Sequence, residues 1–296
     1  MSDAMSMIAS ATGQEPIVVN GDEIRGQSRV RHYSVSAEEL AAYAAATGDT
    51  RTDRIAGEVA SPAFGFVPLT PLLFEVVDEV AGDVGPTGVV HTHQRFTVHE
   101  SIAAGDELTV TASVADLRGG PFGTVCTILA STVRADGVEV NSQLVTALLV
   151  GSTCENPIID DAYAPGEPPA GVGKPPAGSI PLSIDRDLAP RYADASGDRN
   201  PIHLDAAYAR NAGFPGTILH GMCTLAMSAN ALEAKFPEFV HSTGLVIEFT
   251  RPVFPGDKLT VKYDVDEAEG GVDLRFEVVN RKMRTVMRGG SLSLRK

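Results

Sequence analysis

The chain has 296 residues, of which 43% are hydrophobic and 21% are charged. This composition is typical of globular protein, and the length suits two domains of ordinary size. A formal net charge of -14 disfavours nucleic-acid binding, which requires clustered lysine and arginine, and no window reaches the ~20 apolar residues of a membrane-spanning helix.

The beginning of the chain does not have the pattern of a secretion signal. Its first residues contain no basic segment followed by a continuous apolar run. The three cysteines, Cys126, Cys154 and Cys223, form no CxxC pair, which disfavours both a disulfide framework and a structural zinc site. We therefore expect a cytoplasmic protein in which residues 1–30 form an N-terminal extension.

The chain contains an internal repeat. Tyr43, Gly48 and Asp49 recur 149 residues later as Tyr192, Gly197 and Asp198. In each half an apolar segment with helical periodicity follows, first PLLFEVVDEVAG and then GMCTLAMSANALEAKF. Each half is therefore predicted to fold as a loop, a buried helix and a run of strands.

The predicted strands are rich in β-branched and aromatic residues and are separated by Gly and Asp. They are DELTVTASVADL, GTVCTILASTVRADG and VEVNSQLVTALLVG in the first half, and KLTVKYDVDEA, VDLRFEVVN and TVMRGGSLSLRK in the second. Residues 152–180 are rich in Pro and Gly and are predicted to be an extended linker without regular structure. This order predicts the α+β class, with residues 31–151 and 181–296 as two antiparallel sheets, each wrapped around a central helix in a fused pseudo-dimer.

The second copy of the repeat carries polar residues that the first copy lacks. YADASGDRNPIHLD places Asp198, Asn200 and His203 within six residues, whereas YAAATGDTRTDRIA has Arg51 and Arg54 at the matching positions. The second motif continues through ILHGM and FTRPVFPGDKL and resembles the hydratase 2 motif of MaoC-like enoyl-CoA hydratases. VVHTHQRFTVHESIAAGDEL resembles the N-terminal half of the two-domain members. The resemblance implies a double hot-dog fold.

The resemblance also implies a reaction, the reversible hydration of trans-2-enoyl-CoA to (3R)-3-hydroxyacyl-CoA, with no metal and no other cofactor. Two alternatives stay open: a (3R)-hydroxyacyl dehydratase acting on acyl carrier protein thioesters in fatty-acid elongation, and a non-catalytic thioester-binding protein. The intact polar set favours an enzyme, because a binding protein needs no base paired with a water-orienting group. The expected partner is an acyl-CoA or acyl carrier protein thioester, and a homodimer is left open.

Hydration of a conjugated thioester requires a base for water, a proton donor to C2 and hydrogen-bond donors for the developing oxyanion. The resemblance makes Asp198 the principal base and His203 the group that polarises the same water, while Asn200 holds the carboxylate or the water in register. Gly221 lies where the second buried helix begins, so its N–H is predicted to face the thioester oxygen. Taken singly, the three polar residues are also interpretable as a cap, a turn former and a core histidine.

Four other residues are candidates with weaker support. His220 is expected to be a structural hydrogen bonder. His91 and His93 have a spacing that can chelate a metal, but no third ligand is evident near them in the sequence, so no metal site is expected. Cys223 is expected to be a small buried apolar residue, not a nucleophile.

An acidic protein that binds a polyanion such as coenzyme A must gather cations at the mouth of its site. The candidates are Arg251, Arg281, Lys282 and Arg284. Each of them is equally interpretable as a solvated surface residue.

The first half is predicted to have lost catalysis. Asp49 keeps the carboxylate, but Arg54 stands at the histidine position and cannot exchange protons, since its pKa stays above ~12. We expect Arg54 to pair with a nearby carboxylate. This half is then free to hold the acyl chain in an apolar channel, for which the candidate lining residues are Phe64, Phe66 and Leu72; the alternative is that they fill a core.

Overall fold

The computed structural model describes residues 17–81, 88–165 and 170–296. The first 16 residues of the predicted extension, Gly82 at the end of the first predicted helix and four residues of the predicted linker lie outside the described residues. The strands are β1 Val18–Asn20, β2 Ser28–Ser34, β3 Val89–Val98, β4 Glu107–Gly120, β5 Gly123–Arg134, β6 Glu139–Val150, β7 Thr153–Glu155, β8 Gly178–Ser183, β9 His241–Phe249, β10 Lys258–Ala268, β11 Gly271–Asn280 and β12 Thr285–Arg295. The α-helices are α1 Gly21–Ile24, α2 Ala37–Ala46, α3 Thr52–Ile55, α4 Phe66–Ala81, α5 Leu188–Ser196, α6 Pro201–Leu204, α7 Ala206–Asn211 and α8 Gly221–Glu233, and a 3-10 helix spans Pro62–Gly65.

One antiparallel sheet of ten strands runs through both halves, in the order β2-β4-β5-β6-β3-β9-β12-β11-β10-β8. The α+β double hot-dog class is therefore confirmed, but the two predicted sheets join edge to edge. The junction pairs β3 with β9, with Phe96 opposite Leu245 and Gln94 opposite Ile247. Joining the edges satisfies backbone N–H and C=O groups that two separate sheets would leave exposed.

The central helices α4 and α8 supply much of the core. In α8, Leu225 and Leu232 are fully buried, and small residues such as Ala226 let the helix lie close to its surroundings. In α4, the buried Leu72 and Val76 lie four positions apart and therefore share one face. Among the described residues, no helix is both long and apolar enough to cross a lipid bilayer.

The internal repeat is visible in the backbone of the two loops. Gly48 and Gly197 both have positive φ angles, 64° and 74°, a conformation that glycine adopts without steric cost. Each is followed by an aspartate, Asp49 or Asp198, whose Oδ1 accepts a hydrogen bond from the amide two residues later, at 3.0 Å in the first half and 3.1 Å in the second. The two halves thus hold a carboxylate on the same turn.

The predicted linker is more ordered than expected. Its beginning forms β7, which pairs in parallel with β1 of the N-terminal extension, and its end, residues 178–180, forms the start of β8, which pairs with β10. Between them, the Asp264 carboxylate accepts hydrogen bonds from the amides of Gly173 at 2.6 Å and Ala177 at 2.9 Å. The prediction of a segment without regular structure is wrong at both ends, because the segment adds strands to edges that the sequence alone does not reveal.

Candidate active site

A cavity of about 280 Å³ lies between the two halves. The second half contributes the polar residues Asp198, Asn200, His203 and His220, together with Gly221 at the start of α8. The first half contributes a mainly apolar wall formed by α4 and β3, whose members include Phe66, Thr70, Leu73, Phe74, Val77 and His91. The cavity therefore exists only because the halves are packed together.

Asp198 and His203 reach the cavity from a loop and a single helical turn. Gly197, in its left-handed conformation, ends α5, and Asp198 follows directly. Asn200 then caps α6 by accepting a hydrogen bond from the amide of Ile202 at 3.1 Å, and the proline that follows is well suited to the first position of a helix. Asn200 is thus a helix cap, where the sequence left open the role of a turn former, and it also lines the cavity.

The two imidazoles of the site are both held by carbonyl oxygens. Nδ1 of His203 lies 2.9 Å from the carbonyl oxygen of Ile218, and Nε2 of His220 lies 3.0 Å from that of Asp198. Because a carbonyl oxygen can only accept, these two nitrogens donate, which leaves Nε2 of His203 and Nδ1 of His220 with free lone pairs when the rings are neutral. Burial lowers the pKa of His203, while the Asp198 carboxylate raises it in part.

Asp198, His203 and His220 form one compact cluster. A ligating atom of each side chain lies within 4.8 Å of those of the other two, and the imidazole rings of the two histidines stack at a centroid distance of 3.7 Å. This spacing lets the carboxylate and an imidazole contact one water molecule. The sequence predicted no metal site, but the ligating atoms of Asp198, His203 and His220 are close enough to one another to hold a metal ion. His91 and His93, whose spacing in the sequence can chelate a metal, are not part of this set.

Gly221 is placed so that a ligand atom can approach its backbone. It is the first residue of α8, so its N–H has no partner within the helix, and it is accessible from the cavity. A Cβ atom at this position would lie 3.1 Å from the ring of Phe249. The absence of a side chain therefore keeps the space between the helix N-terminus and Phe249 open.

The structure brings one of the four predicted cations to the cavity. Arg251 lines its wall and donates to the carbonyl oxygen of Thr285 at 2.7 Å. Arg281, Lys282 and Arg284 are all described, and they lie exposed on the turn between β11 and β12, outside the lining. Arg284 is the chain neighbour of Thr285, to which Arg251 is hydrogen-bonded, but none of the three turn residues lines the cavity.

Of the three predicted acyl-channel residues, all within the described part of the chain, only Phe66 lines the cavity. Phe64 and Leu72 are 0% and 1% exposed and belong to the core, so their placement in a channel is wrong. For Leu72 the reason is helical geometry, since the face of α4 that carries Leu72 points into the core while Leu73 and Phe74 face the cavity. Phe64 lies before α4, in the 3-10 helix Pro62–Gly65.

In the first half, Arg54 stands at the position that corresponds to His203 in the second. Nη1 of Arg54 lies 3.1 Å from Oδ2 of Asp49 and 2.5 Å from Oε2 of Glu233, and all three side chains are at most 5% exposed. The prediction that Arg54 pairs with a nearby carboxylate is confirmed. Glu233 was not predicted as a partner, because it lies at the far end of α8 in the other half.

His91 is a cavity residue whose position the sequence did not predict. Its ring stacks on Phe66 at a centroid distance of 5.6 Å and lies 4.9 Å from Phe249, so it contacts both halves. Burial lowers the pKa of His91 to about 4. The pairing of β3 with β6 is irregular between His91 and His93, and such a bulge, which redirects side chains, has no clear sequence signal here.

Cys223 lies next to the cavity on α8 and is fully buried. Burial raises the pKa of its thiol, so it stays protonated. The expectation of a small buried apolar residue is confirmed.

Comparison with known proteins agrees with this geometry. Residues 169–286 match the MaoC like domain, and residues 21–143 match the FAS1-like dehydratase domain region. The chain is 27% identical over 274 residues to 3-hydroxyacyl-thioester dehydratase X of Mycobacterium tuberculosis, covering 92% of each chain. It is 33% identical over 189 residues to 3-hydroxyacyl-thioester dehydratase Y of the same organism, covering 60% of this chain and 62% of the relative.

A solved structure shares the overall architecture. The MaoC-like dehydratase from Phytophthora capsici superposes with a TM-score of 0.76 at 20% identity, over 94% of this chain and 99% of the other, which shows a common fold. The two domain matches cover both halves, and the carboxylate and histidine pair lies in the half that carries the MaoC like domain. Residues 169–286 therefore match the MaoC like domain, and the chain has the double hot-dog fold of MaoC-like proteins.

Proposed function

We propose that this protein is a hydro-lyase that interconverts trans-2-enoyl and (3R)-3-hydroxyacyl thioesters. The observation that carries the proposal is the meeting of Asp198 and His203, with ligating atoms within 4.8 Å, in a cavity that also contains the start of α8. The similarity to proteins named 3-hydroxyacyl-thioester dehydratases supports the same reaction class.

In the hydration direction, a water molecule between the two side chains attacks C3 of the enoyl group. Asp198 accepts a proton from this water, and Nε2 of His203, left free by the hydrogen bond from Nδ1 to Ile218, orients the water as an acceptor. The proton that Asp198 took from the water is delivered to C2 as the C–O bond forms, so the elements of one water molecule are added overall and the carboxylate is regenerated. The lowered pKa of His203 supports this role, since a protonated imidazole could only donate.

The N-terminus of α8 is suited to the thioester carbonyl. As electrons move toward the carbonyl oxygen during the attack, negative charge develops there, and the Gly221 N–H and the positive end of the helix dipole stabilise it. This stabilisation is stronger in the transition state than in the bound substrate, so it lowers the barrier more than it tightens binding.

The rest of the cavity suits a thioester with an apolar acyl chain. Phe66, Leu73 and Val77 line the side provided by the first half, while Arg251 supplies a cation on the side provided by the second. We infer that the acyl chain lies along α4 and that the phosphate-bearing arm passes Arg251. Coenzyme A and acyl carrier protein both present a phosphopantetheine arm, so this arrangement is compatible with either carrier.

The direct test is to incubate the protein with crotonyl-CoA and longer trans-2-enoyl-CoA substrates and to follow the loss of enoyl absorbance. We expect turnover by the wild type and a (3R) product on chiral analysis. Comparing rates on matched CoA and carrier-protein thioesters then identifies the carrier. If no enoyl thioester of either kind is consumed by the folded protein, the hydro-lyase proposal fails and a thioester-binding role takes its place.

A further inference from the structure

The residue that precedes the glycine at the entry of each central helix differs between the halves. It is Phe64 in the first half and His220 in the second. Both rings pack against the tyrosine of their own repeat, Phe64 edge-on against Tyr43 at a centroid distance of 5.3 Å and His220 against Tyr192 at 4.9 Å. A phenyl ring therefore meets the packing requirement of this position, and an imidazole adds only its polar atoms.

The polar atoms of His220 serve the catalytic loop. Nε2 donates to the carbonyl oxygen of Asp198 at 3.0 Å, and the ring stacks on His203 at a centroid distance of 3.7 Å and an angle of 30°. The side chain is 1% exposed. One buried side chain thus contacts both members of the proposed catalytic pair.

The usual role of a polar residue before a helix does not account for His220. Polar side chains at this position typically accept hydrogen bonds from the first amides of the helix. Within the described part of the chain, the His220 side chain makes no such bond to α8. Its donor is directed to the loop, 22 residues earlier in the chain.

His220 also stays neutral beside His203. Burial, and after it the proximity of His203, lowers the pKa of His220 well below its usual range. A neutral ring can stack closely on the ring of His203 without charge repulsion. It also keeps the proton on Nε2, where the bond to Asp198 requires it.

From these contacts we propose that His220 is a positioning residue, which fixes the backbone of Asp198 through its Nε2–H. This proposal rests on the proposed function. The first half, which retains Asp49 but has no histidine partner for it, has a phenyl ring where the second half has this imidazole. Within one chain, the imidazole is thus found at the helix entry of the half that has the proposed catalytic pair, and the phenyl ring at the helix entry of the half that lacks it.

The test compares His220→Gln with His220→Phe. The Gln amide nitrogen can replace Nε2 as the donor to Asp198, whereas Phe keeps the ring and removes the donor, as in the first half. We expect His220→Gln to retain kcat within about fivefold of wild type, and His220→Phe to lower kcat by roughly 10²-fold with KM changed less than about threefold, since a small misplacement of catalytic groups costs about that much. Equal losses in kcat for the two variants, or a loss confined to KM, would overturn the positioning role.

Crystal structures of the two variants test the same proposal without substrate. In His220→Gln the Asp198 carbonyl should stay within hydrogen-bond distance of the new side chain. In His220→Phe the Asp198 carboxylate should move by about 0.5 Å or more relative to His203, beyond the tolerance of a preorganised site. An unmoved carboxylate overturns the proposal. If wild type shows no hydratase activity, the proposed function fails, and the displacement of Asp198 still decides the role of His220.

Discussion

At the scale of single residues, the chain presents two aspartates on the same turn with different surroundings. Asp198 is half-buried and faces a cavity beside two imidazoles, whereas Asp49 is buried and bound to the guanidinium of Arg54. A buried carboxylate that is bound to an arginine outside the cavity lining has no path to a substrate. Only the second carboxylate is therefore in a position to exchange a proton with water.

We expect Asp198→Asn to lower kcat by ~10²-fold or more, because the amide keeps the shape of the side chain and removes the base. Asp49→Asn is the matched control at the equivalent position and should leave kcat near the wild-type value. Steady-state kinetics on crotonyl-CoA measure both. A large loss of turnover in folded Asp49→Asn would contradict the assignment of catalysis to the second half alone.

At the scale of elements, the helix α8 connects the two pseudo-equivalent sites. Its first residue, Gly221, opens into the cavity, and its last residue, Glu233, binds Arg54 of the first half. Glu233 also accepts a hydrogen bond from the Ser242 hydroxyl. The ion pair therefore anchors the end of the helix whose beginning is proposed to stabilise the oxyanion.

Gly221→Pro removes the proposed donor N–H, and proline is acceptable at the first position of a helix. We expect kcat to fall by about 10²-fold, as when one oxyanion donor is lost, with a smaller effect on KM. Gly221→Ala is the control, because it keeps the N–H while adding a Cβ that meets Phe249 at 3.1 Å. If both variants lose kcat equally, crowding against Phe249 explains the effect and the N–H has no role.

Arg54→Met should destabilise the protein by about 3–5 kcal/mol, because it leaves the buried carboxylates of Asp49 and Glu233 without a cation. Arg51→Met is the control, since Arg51 pairs with the partly exposed Asp53. This substitution should lower the free energy of unfolding by about 1 kcal/mol or less. Denaturant unfolding monitored by circular dichroism gives both values. Similar free energies of unfolding for the two variants would show that the buried network contributes little.

At the scale of the whole molecule, each half contributes a different part of one cavity. The second half contributes the polar groups and the first half contributes an apolar wall from α4 and β3. Backbone hydrogen bonds also link the halves at this junction, since β3 pairs with β9 in the continuous sheet. The cavity and the backbone pairing of the halves are therefore both formed at the junction.

Leu73→Trp fills the part of the cavity that the first half provides. We expect kcat/KM for long enoyl chains to fall by roughly tenfold relative to crotonyl-CoA, because the loss of a few methylene contacts in an apolar pocket has about this effect. Glu75→Trp is a control on the same helix, since Glu75 is exposed and lies outside the lining. An equal loss for short and long substrates would place the acyl chain elsewhere.

The junction should also make stability depend on pH through His91. Its pKa is about 4 in the folded protein and 6.5 ordinarily, so the unfolded state binds more protons between these values. Stability should therefore fall as pH decreases from about 6.5 toward 4, by about 1–2 kcal/mol for this group after allowing for solvent screening. His91→Phe should reduce the fall in Tm between about pH 7 and pH 5; an unchanged fall would exclude His91 as its source.

The sequence by itself determined the features that depend on local order. The α+β class, the repeated Tyr-Gly-Asp pattern and the placement of Asp198 and His203 within one short segment follow from periodicity and from a long ordered motif. Gly48 and Gly197 are both left-handed, and the aspartate after each accepts a hydrogen bond from the amide two residues later, so all the residues that form this turn are close in sequence.

The tertiary structure alone decided which side chains meet across long separations. Arg54 binds Glu233 of the other half, and His91 lies against Phe249, although neither pair is close in sequence. Phe66 faces the cavity while Leu72 faces the core, because the packing of α4 against the sheet selects which side of the helix is covered. Local periodicity identifies an apolar face, but only the packed neighbours determine whether that face meets a core or a substrate.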